Sequence, residues 1–358
     1  MIKGRHALAV LGYMTVVAVA QASGGAPASL DQLIANSDYI VVGTIAGGSA
    51  SGVTLNLSIA IEAVLKGQLT AGAIVGATGT ITEPAQTHAL ALSRGIFFLS
   101  GAQGALLLVP AASGYLDERD IFVALPNVAS PPQPPTGTLK EQVMLEVLGA
   151  MASGEPWPPG GRIDVLGEYQ ADPTASERSV FQQWMQGGSP QLITTSLRAL
   201  LAEGNAAALT RVATDTSLQG NPAASSIFDA VKLLRSTDAG TVALLGQMAV
   251  NGSSAAGLRA AAATALAWIH TQQAVPYLAQ LLNDPSVTLQ AAAVGGLAGF
   301  ANNVPVGAHE PAAGAWAYRT DDTIAHSVFS EAAITARPTY YLSFWQVWWQ
   351  TNRAALGY

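Results

Sequence analysis

The chain contains no cysteine, which excludes disulfides, thiolate metal sites, a cysteine nucleophile and a lipid anchor on an N-terminal cysteine. Charge is scarce too: Asp, Glu, Lys and Arg make up 11% of the residues, while half are apolar. Lys and Arg form no cluster and are outnumbered by acids, 16 to 23, a poor match for nucleic acid or anionic lipid. No run past the N-terminus approaches about 18 uninterrupted apolar residues, so no stable membrane insertion is expected once a leader is removed. Reaction signatures are missing as well, with no glycine-rich phosphate loop and no G-x-S-x-G elbow.

What is present begins with the leader. Lys3 and Arg5 precede an apolar run from Ala7 to Ala20, and small residues follow at Ala20 and Ala22. That order is the signal-peptide order, with cleavage expected before Ser23 or before Gln21. Residues 1–22 then leave a chain exported to the periplasm or secreted. The leader holds two of the 16 basic residues and no acid, so the mature chain carries a formal −9. Without disulfides its stability must come from core burial, and its length suits roughly two domains.

Residues 23–125 are expected to form a small antiparallel β-barrel or sandwich after a short helix from Ser29 to Ala35, with Ser29 as N-cap. Tyr39–Ile45 is a β-branched run. Val53, Leu55, Leu57, Ile59 and Ile61 alternate with polar or small residues, the period-two pattern of a strand with one wet face. Further strands are expected at 73–81, 95–99, 105–109 and 120–125, separated by Gly and Ser. The stretches SDYIVVGTI, EAVLKG and GIFFLSGAQGALLLV resemble the small β-domain that precedes helical repeats in some secreted bacterial proteins. They are also similar to the OB-like barrel of netrin and tissue-inhibitor modules. Those modules are disulfide-bonded and reach a protease metal with an N-terminal cysteine, so that chemistry does not carry over.

Residues 126–138, PNVASPPQPPTGT, read as an extended proline-rich linker. A helical lead-in spans 139–188, with capping boxes at Thr138/Glu141 and Thr174/Glu177 and a buried stripe of Val180, Phe181 and Trp184. From 189 to 300 the chain is periodic. Leu258, Ala262 and Leu266 recur 31 residues later as Leu289, Ala293 and Leu297; Leu197, Leu233 and Leu266 form a looser series. Ser189-Pro190 and Asn221-Pro222 supply helix starts, and Asp284-Pro285 breaks the chain between units. The Leu-Arg-x-Ala-Ala…Ala-Leu run, the Ala-Val-Pro-x-Leu helix and the Asp-Pro turn make this region resemble HEAT repeats. The resemblance implies a curved solenoid that binds a partner, most often protein. The fold class expected is therefore α+β multidomain, a small OB-like β-domain followed by an all-α HEAT-like solenoid.

Two C-terminal segments offer functional side chains. The insert over 301–337 contains His309, Glu310, Trp316, Tyr318, Asp321, Asp322, His326 and Glu331. His309, Asp321, Asp322 and His326 are the residues that could supply a metal site, but they match no ligand motif: Pro311 breaks the HExxH that His309-Glu310 begins. The final helix, 338–358, crowds aromatic residues, with Tyr341, Trp345 and Trp348 on one stripe and Phe344 and Trp349 beside it. This helix reads either as a cap on the solenoid or, with Trp316, as a half-exposed binding patch. His270, ending a helix, reads as a C-terminal cap whose positive charge would favour the helix dipole.

The leading expectation is an exported, non-enzymatic scaffold that binds another envelope or extracellular protein and needs no cofactor. A hydrolase or lyase with its site in the 301–331 insert is one alternative; HEAT-like repeats also occur in lyases that handle phycobilins, though that likeness assigns no catalytic residue. Carbohydrate or cell-wall binding through the C-terminal aromatic helix is the other.

Overall fold

A computed structural model of the protein describes residues 29–81, 92–109, 122–126, 137–155, 163–221, 223–306, 322–327 and 330–358. The expected leader, most of the proline-rich linker and much of the 301–337 insert lie outside these. The chain divides into two compact units, Met1–Val143 with Glu155–Ile163, and Met144–Gly154 with Asp164–Tyr358.

The first unit opens with α1 (Leu30–Ala35), whose capping box joins Ser29 and Gln32. Among the described residues six strands follow: β1 (Tyr39–Ser51), β2 (Thr54–Lys66), β3 (Ile74–Thr80), β4 (Arg94–Ser100), β5 (Leu106–Leu108) and β6 (Val123–Leu125). The order β1-β2-β3-β5-β4 closes back on β1, with β6 alongside β4. Every contact in this small barrel is antiparallel except β3 with β5. Period-two alternation in β2 sends Leu55, Leu57, Ile59 and Ile61 into a core shared with Val41, Phe97 and Leu99, each worth roughly 1.5–3 kcal/mol of burial.

β1 runs past its expected end at Ile45. Register shifts at three places along it let one strand bend so that its first half pairs with β4 and its whole length with β2, the way bulges close a barrel. Gly43 is required at that bend, since a Cβ there would lie 2.5 Å from the Ala60 carbonyl oxygen. A two-residue turn, Gly52-Val53, joins β1 to β2, with Gly52 in the left-handed region. The barrel's outer surface is unequal. Ile40, Val42, Ile96 and Phe98 are buried although they face away from the barrel core, whereas outward residues of β2 and β3 are open.

Helices make up most of the rest: α2 (Leu139–Ala152), α3 (Val165–Ala171), α4 (Ala175–Gly187), α5 (Pro190–Ala202), α6 (Ala206–Thr214), α7 (Thr216–Gln219), α8 (Ala224–Lys232), α9 (Ala239–Val250), α10 (Ala256–Ile269), α11 (Val275–Leu281) and α12 (Val287–Ala301). Beyond them lie α13 (Asp322–Ala325), α14 (Glu331–Ala336) and α15 (Phe344–Asn352). The Thr174/Glu177 capping box and the Ser189-Pro190 start form as expected.

In the second unit α10 packs against α8, α9 and α12. The 31-residue match has physical content: Leu258, Ala262 and Leu266 of α10 and Leu289, Ala293 and Leu297 of α12 are all buried. The looser series breaks at Leu233, an exposed residue ending α8; its neighbour Leu234 is the buried one. Asn221 does not cap α8 either. Its side chain accepts from the Ala223 N–H, and α8 begins at Ala224 without a side-chain cap.

Two arginine clasps tie helices to turns. Arg178 of α4 makes a bidentate bond, 2.8 and 3.0 Å, to Glu203 just after α5. Arg259 of α10 binds Asp284 just after α11 and donates from Nε to the Ala249 carbonyl at 3.0 Å. Burial alone would raise the Glu203 pKa, but the Arg178 hydrogen bonds prevail and hold it below the usual carboxylate value. Tyr169, edge-on to Phe181, lies next to this clasp. Burial first, and the Glu203 carboxylate second, push its hydroxyl pKa up, although the hydroxyl makes no bond of good geometry.

Candidate functional site

The open side of the barrel carries a groove of about 620 Å³ on the outer surface of β1, β2, β3 and β5. Strand register explains its shape. Gly47 pairs with Ser58, and Ser58 pairs in turn with Gly76, so one outward row reads Gly-Ser-Gly across three strands. The next outward row, two residues along, is Ser49, Asn56, Thr78 and Leu107. The first row is nearly bare and forms the floor. The second stands above it as a wall, in which the Thr78 hydroxyl donates to the Asn56 side-chain oxygen at 3.0 Å. Gly104 and Ala105, just before β5, also line the groove.

Gly47 and Gly76 have no internal reason to be glycine. Neither adopts the left-handed backbone, and a Cβ on either would meet nothing within 4 Å. Glycine within a strand weakens it and commonly marks a close approach by another backbone or a ligand.

Among the described residues no ionisable or aromatic side chain lines the groove. The nearest acid along β2, Glu62, is engaged by the Thr44 hydroxyl at 2.6 Å and by Arg94 Nε at 2.7 Å. The surface therefore offers hydroxyls, an amide, bare peptide groups and the half-exposed Leu107. These groups suit an uncharged ligand that hydrogen-bonds to backbone-like groups, and the described lining residues include none of the cations that hold phosphates or the rings that stack on bases or sugars.

The aromatic helix expected over 338–358 is not one α-helix. It opens with a π turn at Thr339–Ser343 before α15. Tyr341 and Trp345 are buried, and Trp345 Nε1 donates to the His326 carbonyl at 3.0 Å. Trp348 sits edge-on to Phe300 and Trp345, and Trp349 leans on Tyr358. Gln346 bonds Asn283, and the Tyr358 hydroxyl donates to the Gln272 carbonyl at 3.2 Å, tying this helix to the ends of α11. Tyr340 and Val347 remain exposed.

His326 stacks between Phe344 and Tyr340, with centroids 3.9 and 4.1 Å away. Asp322 heads α13; His309, Trp316 and Asp321 lie outside the described residues. Among the described residues no three His, Asp or Glu side chains gather as a metal site. His270 takes the C-cap position of α10, and burial, ahead of the backbone carbonyls it faces, pushes its pKa below 6.5 and so weakens the cationic form expected there.

The barrel groove was not visible as a site in the sequence. Its signal was two strand-interior glycines, meaningful only once the register places them either side of Ser58. None of the protein-family profiles, characterised proteins or solved structures compared with this chain matches it.

Proposed function

We propose that this chain is an exported, non-catalytic binding protein that holds an uncharged polypeptide segment of an envelope or extracellular partner in the barrel groove. The observation that carries this reading is a groove whose described lining bears neither ring nor charge and whose floor holds two glycines, each with open space where a Cβ would be. The strand order, a five-stranded closed barrel with parallel β3 and β5, supports the OB-like description of the first unit. Equivalent burial on α10 and α12 supports the HEAT-like description of the second, which serves here as a scaffold.

The Trp345 stripe favours a packing role over a carbohydrate surface, because its central ring is fully buried and hydrogen-bonded. A photo-crosslinking amino acid at Ser58 or Thr78 of the full chain, expressed in its native host, tests the proposal. A discrete protein adduct from these positions, absent when the probe is at exposed Val347, is the expected result. No adduct from either groove position overturns it. The N-terminal mass of the exported chain, starting at Ser23 or Gln21, checks the localisation.

A further inference from the structure

We propose that His270 is a proton-sensitive latch between the C-terminal ends of α10 and α12, holding them together near neutrality and releasing them in mild acid. Both helices end on non-glycine residues in the left-handed region, His270 at φ 50° and Asn303 at φ 55°. A left-handed residue is a common way to end a helix, and His and Asn adopt it more readily than most residues with a Cβ. His270 Nδ1 lies 3.0 Å from the Val304 carbonyl oxygen, next in sequence to Asn303, whose own left-handed turn is closed by the Asn303 N–H donating to the Phe300 carbonyl. The Val304 N–H in turn donates to the Gly299 carbonyl at 2.9 Å. The imidazole lies directly on Gly299, where a Cβ would come within 2.3 Å of Nε2. One ring therefore joins the last turn of α10, the last turn of α12 and the chain leaving α12.

The surroundings favour a neutral ring. The connection between α8 and α9 presents the Arg235 guanidinium, itself held over Trp268 at 5.6 Å. Gly299 of α12, and Val304 and Pro305 beyond it, present no charge; with Ala267 of α10, the latter two offer carbonyl oxygens. Burial lowers the imidazole pKa and Arg235 adds to that, while the carbonyls act the other way without prevailing.

A proton on His270 would put a second cation beside Arg235 in a mostly buried space. No carboxylate among the described residues is seen to offset it. The ring is then driven toward water, surrendering the Val304 carbonyl and uncovering Gly299. Because the folded value lies below the unfolded 6.5, the folded state binds fewer protons in this window. Stability is unchanged by this group above that value, falls as pH drops toward the folded value, and levels off below it.

Hydrogen exchange of the full chain at pH 7.5 and 5.0, corrected for the intrinsic rate, tests the latch, comparing wild type with His270→Gln, which keeps an amide donor but cannot titrate. The expected result is acid-induced loss of protection confined to the ends of α10 and α12 in wild type, and equal protection at both pH values in H270Q. The same acid step in H270Q overturns the proposal. Should H270Q fail to fold, the His270 imidazole is titrated by NMR in the wild-type chain: a midpoint below 6.5 supports the latch, and one at or above 6.5 overturns it.

Discussion

Gly47 and Gly76 lie in one cross-strand row, each opposite Ser58, although neither position needs a glycine for space or backbone conformation. Gly76→Val should therefore leave the barrel intact and raise its stability by about 0.5–1 kcal/mol, because strand glycine is entropically costly and valine suits a pleated surface. The same change fills the groove floor and should abolish the crosslink from Thr78. Gly43→Val is the control: its side chain would meet the Ala60 carbonyl, and overpacking of that kind costs about 1–3 kcal/mol. Urea midpoints of the two variants should shift in opposite directions.

The Arg259–Asp284 clasp is more enclosed than a surface ion pair, with side chains 14% and 12% exposed. Removing one partner strands the other, so Arg259→Ala should cost about 3 kcal/mol, part of it from the lost bond to the Ala249 carbonyl. The double replacement Arg259→Met with Asp284→Leu should recover much of that loss. A double-mutant cycle in urea checks both statements.

Local rules reached far in this chain, and their failures have identifiable causes. Period-two alternation located β2, the Ser29 N-cap located α1, a capping box located α4, and the 31-residue spacing matched equivalent buried positions on α10 and α12. Leu233 misled because Leu233 and Leu234 are adjacent, and helix phase, which single residues do not reveal, chose the second. β1 outran its apolar run because Gly47 and Gly48 are held by pairing with β2, a contact invisible in β1 alone. The arginine clasps join residues 25 apart across a turn, and the groove depends on the register of several strands. Both are long-range facts. The aromatic stripe was legible as a stripe, but its burial is decided by what packs on it.

Glu203 makes the α4–α5 clasp sensitive to acid. Its folded pKa lies below the usual 4.5, so the contribution is complete above that value and disappears as pH falls through the folded value. Glu203→Gln should destabilise the protein at pH 7 and flatten the acid limb of the stability curve below pH 4.5. Because Arg178 is 37% exposed, solvent screening keeps the effect smaller than that of the Arg259 clasp. Urea midpoints of wild type and variant at neutral and acid pH should converge at the acid end.

Trp345 decides between the two roles open to the C-terminal helix. Its ring is 0% exposed, and its indole N–H donates to the His326 carbonyl. If the helix is a packed cap, Trp345→Ala should cost about 3–5 kcal/mol, the usual loss for a large buried ring. Trp345→Phe keeps most of the apolar area but leaves the His326 carbonyl without its donor, so an intermediate loss of about 1–3 kcal/mol is expected. Val347 is 65% exposed on the same helix, and Val347→Ser should stay within about 0.5 kcal/mol of wild type. A ligand surface would give the reverse: near-wild-type melting for the tryptophan variants, with glycan binding lost. Thermal melts of the three variants, alongside intrinsic fluorescence during glycan titration, separate the cases, because burial acts on the melting temperature without any ligand present.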